Sequence, residues 1–122
     1  MTTIDRTALF RLGSECHRGT FVYDTAEPFA VRLLFDPDVV WVFARQLLVD
    51  GLRGTAGLGN VRCWSDHSRF FIDLTLSEGR ATLQCRAADV RMFVAEMAFL
   101  VPAGLEFLDI DRKLAQLLDG AA

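Results

Sequence analysis

Three cysteines, two histidines and two close pairs of aspartates are the side chains whose types and spacing could do chemistry. A tetrahedral metal site needs four converging ligands, usually drawn from short paired spacings. Cys63 with His67 is one loose pair, Cys16-His17 is an adjacent one, and Cys85 stands far from both, so no metal site is expected. A thiol nucleophile needs a neighbouring base. Cys63 and Cys85 fall within strand-like runs, where a free thiol packs as a small hydrophobe. That leaves Cys16-His17, adjacent and loop-like, and this pair alone is too slight to carry a catalytic reading. Paired carboxylates can run acid–base chemistry. Asp36 and Asp38, however, flank Pro37 in turn chemistry, while Asp109 and Asp111 precede a helical run that an Asp would cap. The glycine-rich stretch 51–59 is not followed by the Lys and Ser of a phosphate loop, and it leads into a strand rather than a helix. No catalytic residue, metal or cofactor is therefore expected, and the chain is read as non-enzymatic.

Short alternating runs must position these residues. Ala8, Phe10 and Leu12 alternate with Thr7, Leu9 and Arg11, which predicts a first strand. A polar stretch, 13–20, and an extended or turn segment, 21–28, follow, with Pro28 biasing Glu27 away from helix. Phe29, Val31, Leu33 and Phe35 alternate with Ala30, Arg32 and Leu34 in a second strand. The third strand, 39–43, has no polar face, so both its sides must be covered, by a helix or by another subunit. Residues 44–52 predict a short helix stopped by Gly51, and a loop, 53–60, leads to a fourth strand, 61–64. A fifth strand, 70–76, and a sixth, 80–86, form a hairpin around Ser77-Glu78-Gly79. Val90, Phe93, Val94, Met97 and Val101 follow helical spacing, and Pro102 and Gly104 end that helix. A last helix, capped by Asp109 or Asp111, carries Ile110, Leu114, Leu117 and Leu118. The expected fold class is α+β: an antiparallel sheet in βββα–βββα order with an added C-terminal helix.

The 122 residues fit one domain, 1–122, and a composition 52% apolar and 24% charged is that of a folded globular chain. Sixteen acidic against 13 basic residues give a net charge of −3, which runs against a binder of phosphate backbones. The richest apolar run, 90–108, is broken by Glu96, Pro102 and Glu106, so no membrane insertion is expected. The N-terminus mixes Asp5, Arg6 and Arg11 among its apolar residues without a signal-peptide core, and a cytoplasmic location is expected. Large apolar residues exceed what one core needs. Trp41 lies in a strand with two apolar faces, Trp64 sits beside Arg62, Phe71 points away from the core side of its strand, and Met92 and Phe99 leave the helix stripe. That excess points to a second interface and a homo-oligomer, with Trp41, Phe43, Trp64 and Phe71 as the expected contact residues.

Several segments carry a resemblance to a known family. Tyr23-Asp24-Thr25-Ala26-Glu27-Pro28-Phe29-Ala30-Val31 resembles the Tyr-Asp-Thr-Ala-Asp-Pro-Tyr-Ala-Val segment of SsgA-like proteins. Trp41-Val42-Phe43-Ala44-Arg45-Gln46-Leu47-Leu48 is similar to their Trp-Val-Phe-Ala-Arg-Asp-Leu-Leu block. Gly57-Leu58-Gly59-Asn60-Val61-Arg62-Cys63-Trp64 resembles a Gly-Thr-Gly-Asp-Val-Arg-Val-Trp stretch, and Val101-Pro102-Ala103-Gly104-Leu105-Glu106 a Val-Pro-Pro-Gly-Thr-Glu link. Ser77-Glu78-Gly79-Arg80-Ala81 and the closing Asp109-Ile110-Asp111 with Leu114 and Leu117-Leu118 complete the match in order. Asn60 stands where Asp is usual and Ser65 where Pro is usual, and the links 13–21 and 65–68 are shorter, so the paralogue stays open.

The resemblance implies a regulator of sporulation and cell division from spore-forming actinobacteria. Such proteins act in placing division septa and in remodelling spore walls. One member helps recruit the tubulin-like division protein FtsZ, and another helps localise that member. The implied fold is similar to the whirly type of single-strand-binding protein, assembled as a trimer. The expectation is thus an oligomeric adaptor in septum placement or septal wall synthesis, partnered by FtsZ or another SsgA-like protein at the septum. The family transfers no catalytic residue. The alternative, by fold analogy, is a single-stranded nucleic-acid binder with Trp64 beside Arg62 and Phe71 beside Arg69 as stacking neighbours.

Overall fold

The computed structural model describes residues 2–36 and 38–106. Their alternation builds β1 (Thr3–Leu12), β2 (Glu15–Asp24), β3 (Ala30–Phe35) and β4 (Val39–Ala44), then α1 (Arg45–Gly51). The second half repeats the order with β5 (Thr55–Leu58), β6 (Val61–Asp66), β7 (Arg69–Leu76) and β8 (Gly79–Arg86), then α2 (Ala87–Leu100). The strands form one eight-stranded sheet in the order β4-β3-β2-β1-β8-β7-β6-β5, with every neighbouring pair antiparallel. The class is α+β, as expected. The expected order, three strands before each helix, is corrected to four. The expected C-terminal helix at Ile110, Leu114, Leu117 and Leu118, with its caps Asp109 and Asp111, lies outside the described residues.

The two added strands have a common physical cause. In the first half of β2, residues 15–18 are exposed on both faces, because β3 pairs with β2 only from Gly19 to Val22 and leaves that half without a neighbour on its far side. A strand that touches no core needs no apolar alternation, so its polar sequence reads as a link. Its turn is built on Gly13, whose φ of 60 at the first central position of a two-residue turn suits a hairpin. β5 is likewise short and mostly exposed, on the sheet's edge, inside the glycine-rich stretch. The β7–β8 hairpin forms as expected, with Phe70 opposite Cys85 and Leu76 opposite Gly79.

One face of the sheet carries the core. Phe10, Phe21, Leu33, Phe43, Cys63, Phe70, Ile72 and Leu83 meet Leu47 and Leu48 of α1 and Val90, Phe93 and Met97 of α2 in a single cluster. Phe21 links the layers: its ring lies 5.5 Å from that of Phe10 and stacks at 5.3 Å on that of Phe93. A buried polar network lies beside this cluster. Arg45, only 3% exposed, donates from Nη1 to Tyr23 Oη at 3.0 Å, and its guanidinium sits over the Tyr23 ring. Tyr23 Oη donates in turn to the Pro28 carbonyl at 3.0 Å. Glu106 approaches Arg45 Nε at 3.8 Å while accepting from the Gly104 backbone N–H at 2.8 Å.

Gly51 does something other than stop a helix through a left-handed turn. It is the last residue of α1, and a Cβ there would stand 2.8 Å from Cys63 Cβ and 3.0 Å from the Phe70 ring. The glycine therefore sets how closely α1 approaches β6 and β7. Alanine favours a helix by up to about 1 kcal/mol. Gly51→Ala should nonetheless lower stability in urea titration by about 1–3 kcal/mol, because overpacking a buried contact outweighs propensity. An unchanged or raised midpoint would show that α1 has room to move.

Candidate interaction surfaces

Placed in the fold, the reactive side chains separate. Cys63 and Cys85 point into the core, and burial pushes both thiols up to about 12. Cys16 is exposed, but Cys16 and His17 are successive residues of β2 and so project from opposite faces of the sheet. His17 Nε2 lies instead 3.0 Å from Glu15 Oε2. His67 occupies the β6–β7 turn with φ 36, and its carbonyl accepts from Arg91 Nη2 at 3.3 Å. No cluster of three or more metal-ligating side chains occurs among the described residues. Asp36 and Asp38 are exposed at the β3–β4 turn, while Asp109 and Asp111 fall outside the described residues.

Asp73 is the carboxylate whose titration changes most clearly. It is buried on the sheet's other face, and its hydrogen bond to Arg80 holds it below the usual carboxylate range against the opposing effect of burial. Thr82 Oγ1 also donates to it at 3.3 Å. A carboxylate held ionised by two cross-strand neighbours is a fixed charge that ties β7 to β8, not an acid poised near neutrality.

The four residues expected to make contacts divide between the faces. Phe43, 6% exposed, belongs to the core and offers no surface to a partner, which corrects its assignment. Trp41 shares that inner face, where its indole packs partly against the core. It lines a groove of about 320 Å³ with Leu12, Phe35, Leu74, Leu76 and Leu83. Trp64 and Phe71 lie directly opposite each other on the outer face, with rings stacked at 5.2 Å and 8°. The Arg62 guanidinium sits 5.5 Å from the centre of the Trp64 ring.

Two further surfaces stand out. On the outer face of β4, Val40 and Val42 are 55% and 58% exposed, on the edge strand of the sheet among the described residues. The absence of a polar face in 39–43 pointed to this second apolar side, although the expected contact residues were its large rings, which point inward. The second is cationic. Arg11, Arg18, Arg69 and Arg86 surround a cleft with Asp89. They come from four different strands, and only the register brings them together.

Comparison with known proteins places these surfaces in a context. Residues 18–106 match a family model described as Streptomyces sporulation and cell division protein, SsgA. The sporulation-specific cell division protein SsgB of Streptomyces coelicolor is 38% identical over 106 residues, spanning 79% of this chain and 77% of that one. A sporulation-specific cell division protein of Frankia casuarinae is also 38% identical, over 76% of this chain and 69% of its own. The crystal structure of an SsgA-like sporulation-specific cell division protein from Thermobifida fusca superposes with a TM-score of 0.83 at 30% identity, covering 94% of this chain and 95% of that one. A solved structure reported with SsgB mutations that correlate with longitudinal cell division during sporulation of Streptomyces coelicolor gives a TM-score of 0.78 at 34% identity, over 86% of this chain and 93% of its own.

The burial of two thiols has direct chemical consequences. A thiol reagent at pH 8 should modify one cysteine per native chain, Cys16, and all three only after denaturation. Because the native state keeps protons that the unfolded chain releases above about pH 8.5, stability should fall as pH rises past that value. Replacing Cys63 and Cys85 with Ala should flatten that decline. Rapid native labelling of more than one thiol would contradict the placement.

Proposed function

The chain belongs to the SsgA family of sporulation and cell division proteins, and we propose that it acts in sporulation-specific cell division as a non-catalytic, oligomeric adaptor at the septum. In this reading, copies of the chain assemble, as a trimer in the family's manner, and present a surface to division proteins, FtsZ or another SsgA-like protein among them. The observation that carries the proposal is β4. Among the described residues it is an edge strand with no strand paired along one side, and it carries exposed valines on its outer face. A strand of this kind is a template for pairing unless a neighbour covers it. The repeated order of four strands and a helix is also compatible with the whirly-type likeness. A whole-chain net charge of −3 supports a protein partner over a nucleic-acid backbone. No helix among the described residues is long and apolar enough to cross a membrane.

Trp64, stacked on Phe71 outside the core, is the best-placed anchor for a protein partner. Co-sedimentation with FtsZ polymers should capture the wild-type chain, and Trp64→Ala or Phe71→Ala should weaken that capture roughly tenfold with little change in unfolding midpoint. Equal capture of all three proteins would remove the aromatic pair from the interface. No capture of any would remove FtsZ as the direct partner.

A further inference from the structure

We propose that the cleft where β1 parts from β8 is a binding site for clustered phosphate groups, carried by a small soluble polyphosphate or by a phospholipid headgroup. The site is independent of the adaptor reading. β1 pairs with β2 along its whole length, but it pairs with β8 only at Arg11 opposite Gln84 and Leu12 opposite Leu83. Beyond that point the strands diverge and a cleft of about 470 Å³ opens between them. That volume is in the range of small-molecule sites, roughly 300–1,000 Å³.

The walls of the cleft carry an unbalanced charge. Arg11 and Arg18 stand on one side, Arg69 and Arg86 on the other, with Asp89 the one carboxylate among the described residues that line it. Asp89 is already engaged: its Oδ1 accepts from Arg6 Nε at 3.2 Å and Nη2 at 3.0 Å, and Arg86 Nε reaches its Oδ2 at 3.3 Å. Arg69 donates from Nε to Gln84 Oε1 at 3.1 Å, a neutral partner that aims the guanidinium without neutralising it. Arg11 and Arg18 form no ion pair among the described residues.

The register makes the imbalance costly. Arg69 is directly opposite Arg86 in the β7–β8 ladder. Arg18 faces Leu9 while Arg11 faces Cys16, so Arg11 and Arg18 are diagonal neighbours on one face of the β1–β2 ladder. Like charges at opposed positions destabilise a sheet. A chain with more acidic than basic residues thus concentrates repelling cations on both walls of one cleft. A bound oxyanion removes that repulsion. Guanidinium forks match phosphate oxygens in bidentate geometry, and several forks around one cleft suit more than one phosphate. The outer-face rings Phe71 and Trp64 stack on each other and do not line the cleft, so the cleft offers guanidinium forks for phosphates and no ring for a base.

The test titrates inorganic pyrophosphate into the full chain by calorimetry at low salt. In parallel, the chain is sedimented with phosphatidylcholine vesicles, with and without cardiolipin. The expected result is saturable binding that weakens with added salt and falls tenfold or more in R11Q/R18Q, with R32Q as the unaffected control. Both replaced side chains are exposed, so the double variant should melt at or above the wild-type temperature while losing any upward shift caused by pyrophosphate. Binding of pyrophosphate identifies a soluble ligand, and binding of cardiolipin vesicles alone identifies the headgroup; either supports the site when R11Q/R18Q loses it. Binding of neither, or binding that R11Q/R18Q retains, overturns it.

Discussion

Arg45 opens α1 with its guanidinium inside the protein, and the arrangement of the remaining elements follows from what that buried charge requires. A charge removed from water must find partners, or the fold loses several kcal/mol. Arg45 finds them in Tyr23 of β2 and in Glu106 beyond α2, while its backbone N–H is taken by the Phe29 carbonyl in the link just before β3. One side chain thereby fixes where β2, the β2–β3 link, α1 and the chain after α2 lie relative to each other. Three of the segments that resemble the SsgA-like pattern, around Tyr23, around Trp41 and from Val101 to Glu106, meet at this point. Their role here is architectural: they brace one face of the sheet.

That division between faces organises the chemistry. The inner face holds the aromatic core, both buried thiols and both helices, and among the described residues it leaves no buried polar side-chain atom without a partner. The outer face receives neither helix. It carries Val40 and Val42 on the β4 edge, the Trp64–Phe71 stack under Arg62, and the arginine cleft where β1 leaves β8. Apolar edge, ring pair and cationic cleft are three kinds of surface that the described residues leave uncovered, and each suits a different occupant. Of the three thiols, the two in the core, Cys63 and Cys85, are sealed away, while Cys16 stays exposed.

Much of this was legible in the residues. β3, the β7–β8 hairpin and α2 touch the core, so their apolar residues recur at the period that the geometry imposes. β5 and the exposed first half of β2 touch no core and left no such imprint. Alternation in β4 separates Trp41 and Phe43 from Val40 and Val42, but it does not say which set faces inward. Ring size suggested the former as contacts, whereas the packing of Phe43 buries it and leaves the valines outside. The arginine cleft was out of reach because its residues lie on four strands, and a net charge of −3 averages it away.

The central claim, that the β4 edge is covered by another copy of the chain, is tested most directly by the solution mass from light scattering across a dilution series. The account predicts a stable particle of about three chains of 13.6 kDa each, reduced to single chains when Val40 and Val42 are replaced by Asp. A wild-type particle of one chain at every concentration would contradict it, and the exposed valines would then have to meet a different partner.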